Sequence, residues 1–265
     1  MRIARFIEGD TPKYGFVQGE PGGEYLAVLN GDPLFQPAVP TGERVFLDAE
    51  GLRLLAPIIP RSKVIGVGRN YADHAAELGN EVPTRPLLFL KPNTSVVGPD
   101  DPIQLPDWSN NVHFEAELAV VIGKIAKNVS PDRALDHVLG YTVANDVTAR
   151  DVQNADEQWT RAKGFDSSCP LGPWISTDLD PEDAQVSAML NGELRQDGST
   201  RDLIFDVPFL VSYISEVFTL LPGDVILTGT PAGVGTIRAG DVIECAVEGI
   251  GVLRNPVVGA AVDED

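Results

Sequence analysis

The feature that most constrains this chain is an apolar run preceded by two acids. Residues 113–123 read His113-Phe114-Glu115-Ala116-Glu117-Leu118-Ala119-Val120-Val121-Ile122-Gly123. The Ala, Val and Ile content after the acids predicts a buried strand that stops at Gly123. Successive strand side chains point to opposite faces, so Glu115 and Glu117 share a face with Ala119 and Val121. Two carboxylates therefore lie on a face that otherwise reads as core. A buried anion is costly unless it meets a cation, whether a side chain or a metal ion. A second apolar segment, residues 138–144, ends in Asn145-Asp146 and delivers a third carboxylate. Three acids at the ends of core-like strands make a candidate site for a hard cation.

With 265 residues the chain can form one large domain with a small appendage, and it can bury a sizeable core. Its 43% apolar and 22% charged residues are ordinary for a globular protein, but its net charge of −19 is not. This excess of acid argues against binding nucleic acid or an anionic membrane surface, both of which attract clustered Lys and Arg. An anionic substrate must then be met by local cations that override the field. Cys169 and Cys245 are the only cysteines and form no CxxC pair, which argues against a disulfide framework or a thiolate zinc site. The first residues lack the apolar stretch and cleavage site of a secretory leader. No run approaches the ~20 apolar residues of a membrane span. The expected location is the cytoplasm.

Residues 1–58 read as a small N-terminal β domain, with short runs at 2–6, 14–17 and 25–29 between Gly, Pro, Asp and Asn turns. Residues 57–62 read as the linker, and residues 59–265 as the larger part. That part opens with a strand at 63–67, a short helix at 71–78 and a strand at 87–90. Residues 148–159 read as a helix carrying Arg150, Asp151 and Gln153. Asn191-Gly192 is the strongest short-range hairpin signal. Apolar residues at helical spacing (Phe209, Leu210, Tyr213, Ile214, Val217) predict an amphipathic helix over 207–220. Pro222-Gly-Asp-Val-Ile226 and Ala239-Gly-Asp-Val-Ile243 each read as a turn feeding a strand, and the acidic end at 262–265 as a frayed tail. The fold class is mixed and β-rich, not alternating βαβ. Gly66-Val-Gly68 lacks the third glycine of a dinucleotide fingerprint, which argues against a nicotinamide enzyme.

Glu115, Glu117 and Asp146 offer only oxygen ligands, which suit Mg²⁺, Mn²⁺ or Ca²⁺ rather than zinc. Three carboxylates on an octahedral ion leave about three positions for water or substrate. Spacing alone leaves this reading open against ion pairs with Arg or Lys. His74 and Glu77, three residues apart on the short helix, face one side. A carboxylate beside an imidazole fixes its tautomer and raises its basicity, as a general base needs; the plainer alternative is an incidental surface pair. Arg150, Gln153 and Lys163 supply donors for a developing oxyanion, or else are surface groups. The loop Thr228-Gly-Thr-Pro-Ala-Gly-Val-Gly235 can offer N–H groups and the Thr230 hydroxyl to a carboxylate. It lacks the Lys-Ser/Thr ending of a P-loop.

In combination and in order, these stretches resemble the fumarylacetoacetate hydrolase family. The likeness is greatest to its bacterial two-part members and to its acylpyruvase, oxaloacetate decarboxylase and 2-hydroxyhepta-2,4-diene-1,7-dioate isomerase branches. It covers roughly residues 60–258. It rests on Gly68-Arg-Asn-Tyr-Ala-Asp-His74, Leu88-Phe-Leu-Lys-Pro92, Phe114-Glu-Ala-Glu-Leu-Ala-Val-Val-Ile-Gly123, Asn145-Asp-Val-Thr-Ala-Arg-Asp151, Lys163-Gly-Phe-Asp166 and Leu227-Thr-Gly-Thr-Pro231. The resemblance implies a mixed β-roll with a few peripheral helices beside the small N-terminal β unit, and usually a homodimer. It implies Mg²⁺ or Mn²⁺ on Glu115, Glu117 and Asp146, with Ca²⁺ able to stand in within crystals. It implies His74, Glu77 and Lys163 as catalytic residues, and Arg69, Tyr71, Arg150, Gln153, Gly229 and Thr230 as substrate contacts.

The implied substrate is a small anionic 2-oxo acid, an acylpyruvate or a 2-oxo dicarboxylate. The implied reaction is hydrolysis or decarboxylation at a C–C bond through an enolate that the metal stabilises. The alternative inside the family is the isomerase and 5-carboxymethyl-2-oxo-hex-3-ene-1,7-dioate decarboxylase chemistry of aromatic catabolism. The alternative of another class is a non-catalytic small-molecule or Ca²⁺ binder, against which the intact His74, Glu77 and Lys163 speak. The segment between Gln153 and Lys163 is shorter than in relatives that use it as part of a lid, which leaves the covering of His74 open.

Overall fold

The computed structural model describes residues 1–77, 79 and 81–260, and Ala116–Ile122 is an interior strand of its largest sheet. That strand is flanked antiparallel on both sides, by Val138–Asn145 and by Val225–Leu227. Leu118, Val120 and Ile122 pack into one apolar cluster with Leu210, Val211 and Ile214 of the helix Val207–Val217. Ala119 and Val121 pack into another with Ile58, Val64, Leu171 and Leu227. A strand with core on both faces needs no polar alternation, which is why this run is apolar throughout. Each fully buried Val, Leu or Ile adds about 1.5–3 kcal/mol of stability.

The main sheet extends both ways from this strand. On one side Val225–Leu227 pairs in parallel with Val64–Gly68, and Leu87–Lys91 closes the edge. On the other, Val138–Asn145 leads to Cys169–Ser176 and then to Arg2–Glu8, Thr11–Gln18, Tyr25–Leu29 and Pro40–Phe46. The N-terminal strands thus continue the main sheet through the pairing of Arg2 and Ile3 with Ser176 and Ile175. They also hold a small core of their own around Phe6, Val17, Leu26 and Val45. A five-stranded sheet (Glu193–Ser199, Gln185–Leu190, Val242–Val247, Gly251–Val258, Ile103–Gln104) contributes Val186, Ile243, Cys245 and Leu253 to the larger cluster. A three-stranded sheet joins Thr148–Ala149, Val112–Phe114 and Gly235–Thr236. The helices among the described residues are short, and none is long and apolar enough to cross a membrane. This is the mixed, β-rich roll that the sequence predicts.

Local signals explain several joints. Asn191 and Gly192 turn the predicted hairpin with φ of 53° and 80°. Two consecutive positive φ values define a type I′ turn, which Asn-Gly adopts at least cost. Asp206 caps the helix Val207–Val217 by accepting the Phe209 N–H at 2.8 Å, and Pro208 stands in the first turn. Both Gly-Asp turns fold alike: Asp224 accepts the Leu221 N–H and Asp241 accepts the Arg238 N–H.

Three expected elements differ. The strand expected over 113–123 is two strands in two sheets, divided at Glu115. There the Glu115 N–H is taken by the Asn145 side chain at 2.9 Å and its C=O by the Asp146 N–H at 2.8 Å, which replaces ladder pairing. The helix expected over 148–159 begins as the strand Thr148–Ala149, paired with Val112 and His113. It is helical only over Arg150–Ala155, and a second short helix, Thr160–Lys163, follows after a break. Arg161 grips Asp156 across that break. The helix expected over 207–220 stops at Val217, because Leu220 leaves to exchange backbone hydrogen bonds with Ala126. The helix expected over 71–78 spans Ala72–Glu77; Leu78 and the expected acidic tail at 262–265 lie outside the described residues.

Candidate active site

Register brings the three acids together. Ala116 pairs with Asn145 across the antiparallel ladder, so Glu115 and Asp146 are neighbours just past its end, while Glu117 lies one step inside, opposite Ala144. Glu115, Glu117 and Asp146 are 3%, 2% and 1% exposed. One oxygen from each carboxylate lies within 4.8 Å of the others. Three buried anions this close demand cations.

Side chains supply part of the answer. Lys163 donates from Nζ to Glu115 Oε2 at 2.6 Å and to Asp146 Oδ2 at 2.5 Å. Lys91 donates to Asp146 Oδ1 at 2.6 Å, and Arg150 pairs through Nη2 with Glu115 Oε1. Burial alone would raise the Glu115 carboxyl, but Arg150 and Lys163 outweigh it and hold it far below the usual range. For Lys163, burial would lower the ammonium, and Asp146 and Glu115 raise it instead. Glu117 is the acid that these cations do not touch. Among the described residues its one hydrogen bond is from the Gly229 N–H, at 2.6 Å to Oε2. Burial, Asp146 and Glu115 push its carboxyl well above the ordinary value. An all-oxygen, buried donor set with one carboxylate short of a cation fits a divalent hard metal ion, which these three residues could hold.

The cavity above the acids is about 260 Å³. His74 reaches its wall from the helix Ala72–Glu77, with Nε2 3.9 Å from Glu115 Oε1. Its Nδ1 is 3.3 Å from Glu77 Oε2, and Glu77 is held by the Gly233 N–H at 3.1 and 3.2 Å. Burial lowers the His74 imidazole below its ordinary value and Arg150 adds to this, while Glu115 opposes it. The ring is therefore neutral near pH 7, with Nδ1–H on the glutamate and the Nε2 lone pair free for a proton. Gln153 lines the same cavity and accepts from Arg150 Nη1 at 2.8 Å.

The remaining expected contacts are more varied. Arg69 lines the cavity at φ 59° with its guanidinium over the Trp159 ring. Thr230 also lines it, but its hydroxyl donates to Ala116 O and accepts from Gln196. The Gly229 N–H is spent on Glu117. Tyr71 is buried beside the site with no hydrogen-bond partner on its hydroxyl among the described residues, and burial and Glu117 raise its phenol.

Other residues here carry no sequence signal as strong. Lys91 ends an apolar strand, and a lone lysine in that place is the only local hint of a buried partner. Asn145 and Gln196 tie down the strand entry by accepting the Glu115 and Ala116 N–H groups. His113 and Asn111 line the cavity beside Arg150, and burial with Arg150 lowers the His113 imidazole to about 4. Trp159 forms a wall against Gly68, where a Cβ would meet its ring at 2.7 Å.

A mixed β-roll with a buried acidic triad, a His–Glu pair and convergent cations defines a small-molecule enzyme site. Residues 63–258 match the model described as fumarylacetoacetate (FAA) hydrolase C-terminal, and residues 1–57 match one described as Rv2993c-like, N-terminal. The chain belongs to the fumarylacetoacetate hydrolase family and is an enzyme of it. A structure of 5-carboxymethyl-2-hydroxymuconate delta-isomerase from Mycobacterium smegmatis is similar at 49% identity and a TM-score of 0.90, covering 98% of this chain and 100% of that one. The mitochondrial oxaloacetate tautomerase fahd2 of Xenopus laevis is 39% identical over 97% of this chain and 90% of its own length. A fumarylpyruvate hydrolase from Pseudomonas aeruginosa, solved with Mn²⁺ and pyruvate, is 35% identical with a TM-score of 0.72, covering 80% of this chain and 93% of that one.

Proposed function

We propose that this enzyme is divalent-metal dependent and acts on a small 2-oxo acid, an acylpyruvate or 2-oxo dicarboxylate, breaking the bond beyond C3 by hydrolysis or decarboxylation. One observation carries the proposal: Glu115, Glu117 and Asp146 converge under a cavity that also receives Lys163, Arg150 and the His74–Glu77 pair. Lys91, Arg150 and Lys163 already pair with Glu115 and Asp146, so a divalent ion on the triad would add positive charge to this end of the cavity. That charge suits a dianionic acid even in a chain whose net charge is −19. A divalent ion on the triad supplies Lewis acidity to the carboxylate and 2-oxo groups of the substrate, with Mg²⁺ and Mn²⁺ the candidates.

The chain's own groups do the rest. For an acylpyruvate, His74 Nε2 takes a proton from the water that adds to C4, and Glu77 stabilises the imidazolium so formed. Lys163 and Gln153, which line the cavity, are assigned to the oxygen on C4 as it becomes negative. The electron pair of the C3–C4 bond passes to C3 and its 2-oxo group, and the proton from water returns to C3. For oxaloacetate the same pair is released by loss of CO₂, with no attacking water. A second reading, favoured by the likeness to an isomerase over 98% of the chain, has these groups move a proton and shift a double bond.

The proposal extends to Arg69 and Tyr71 as contacts for the substrate's far end, to Gly229 and Thr230 near its carboxylate, to a homodimer, and to work in the cytoplasm with no nucleic acid or membrane partner. It also divides the chain after residue 58 into a small β domain and a catalytic domain, 59–265, which limited proteolysis within 57–62 tests. The test of function is a turnover panel of acetylpyruvate, fumarylpyruvate, oxaloacetate and the hydroxy-diene dioate with Mg²⁺, Mn²⁺ or EDTA. Turnover of at least one acid, lost in EDTA and restored by metal, is expected. No turnover of any of the four contradicts the reading.

A further inference from the structure

Arg150 is the arginine nearest the acids, and three neighbours fix its plane. Nη2 meets Glu115 Oε1, Nη1 donates to Gln153 Oε1 at 2.8 Å, and Nε donates to His113 Nδ1 at 3.4 Å. Arginine keeps its protons at any working pH and has only donors to offer. The imidazole atom facing Nε must therefore present a lone pair. The one N–H of the neutral ring is then on Nε2, where it meets Asn111 Oδ1 at 3.0 Å. Asn111 is itself held: Oδ1 accepts from the Thr236 hydroxyl at 3.0 Å, and its C=O accepts the Arg150 N–H at 2.8 Å. His113 is paired with Thr148 and Thr236 in the three-stranded sheet, so a rigid element carries the ring.

From this geometry we infer that His113, as its Nε2–H tautomer backed by Asn111, is a positioning residue that orients the Arg150 guanidinium toward the substrate without neutralising it. The choice of imidazole matters. A carboxylate at this place would hold Nε more strongly, but it would cancel charge that an anionic substrate needs. A neutral acceptor fixes the plane and leaves the charge. Among the described residues, three of the five N–H groups of Arg150 are committed, which leaves one on each of Nη1 and Nη2 for a ligand.

Two measurements test this. The chain has three histidines, so long-range ¹H–¹⁵N correlation spectra of the intact protein resolve the tautomer of each ring. For His113 the Nε2–H form is expected, and the Nδ1–H form overturns the assignment. The kinetic measurement rests on the 2-oxo acid reading and uses whichever acid the wild type turns over. His113→Ala should lower kcat/KM by about 10–100-fold, the scale of a misplaced binding group. His113→Gln, which keeps a neutral acceptor, should recover most of that loss. His113→Asp should raise KM more than it lowers kcat, and Mn²⁺ affinity should stay within about twofold in the Ala and Gln variants. Near-wild-type kinetics in His113→Ala, or a folded His113→Gln as impaired as His113→Ala, overturns the proposal. If the wild type turns over none of the acids, the substrate reading fails while the tautomer still decides the role of His113.

Discussion

Lys91→Met isolates the electrostatic half of the site. Lys91 is buried to 1% exposure, and its Nζ lies 2.6 Å from Asp146 Oδ1. Methionine keeps most of the unbranched stem and its packing, and removes the ammonium. Breaking a buried ion pair by deleting one partner costs about 3–5 kcal/mol. Asp146 retains Lys163 on its other oxygen at 2.5 Å, so the lower end, about 3 kcal/mol, applies here. At roughly 2–4 °C per kcal/mol for a chain of this size, Tm should fall by about 6–12 °C. Denaturant unfolding followed by circular dichroism gives the free energy directly. Saturating Mn²⁺ should reduce the deficit, because a cation on the triad replaces the lost charge. A deficit below about 1 kcal/mol would refute the reasoning, since it would mean that Asp146 does not depend on the Lys91 ammonium.

Other perturbations address the remaining parts. His74→Gln should lower turnover by about 10²–10⁴-fold with an unchanged melting curve; a melting shift matching the activity loss would make the residue structural. Burial lowers the His74 imidazole, so its neutral form persists as pH falls, and the acid limb of kcat/KM should lie below the ordinary histidine range. A limb at or above that range contradicts the assignment. Glu117→Gln should leave the metal-free protein as stable as the wild type or more so. The Glu117 carboxyl is raised in the folded state, so its contribution is fully present below its unfolded value and is lost as pH rises toward the folded one. The advantage of glutamine should therefore grow from the ordinary carboxylate range upward, and an advantage confined to acid pH would reverse the sign. Gly66→Ala places a Cβ about 2.0 Å from Phe89 Cζ and should cost about 1–3 kcal/mol by overpacking, read in urea.

Much of this was legible because it is local. The apolar run after Glu117, the Asn191-Gly192 turn and the three-residue spacing of His74 and Glu77 each follow from chain periodicity. The break at Glu115 was not, because it depends on the Asn145 side chain taking the Glu115 N–H from 30 residues away. The same holds for the strand at Thr148–Ala149, which exists only because Val112 and His113 lie beside it. No local pattern in 148–159 announces that pairing. Gln196 stayed hidden for a related reason: in the largely polar strand Glu193–Ser199 it looks like its solvent-facing neighbours until its partners Ala116 and Thr230 are known.

The central claim is that Glu115, Glu117 and Asp146 hold a divalent ion. Calorimetric titration of Mn²⁺ into EDTA-treated, dialysed wild type and Glu117→Gln tests it most directly. The account predicts one Mn²⁺ per chain in the wild type and at least about tenfold weaker binding in the variant, whose fold is retained. No Mn²⁺ binding by the wild type, or equal binding by both proteins, would contradict it.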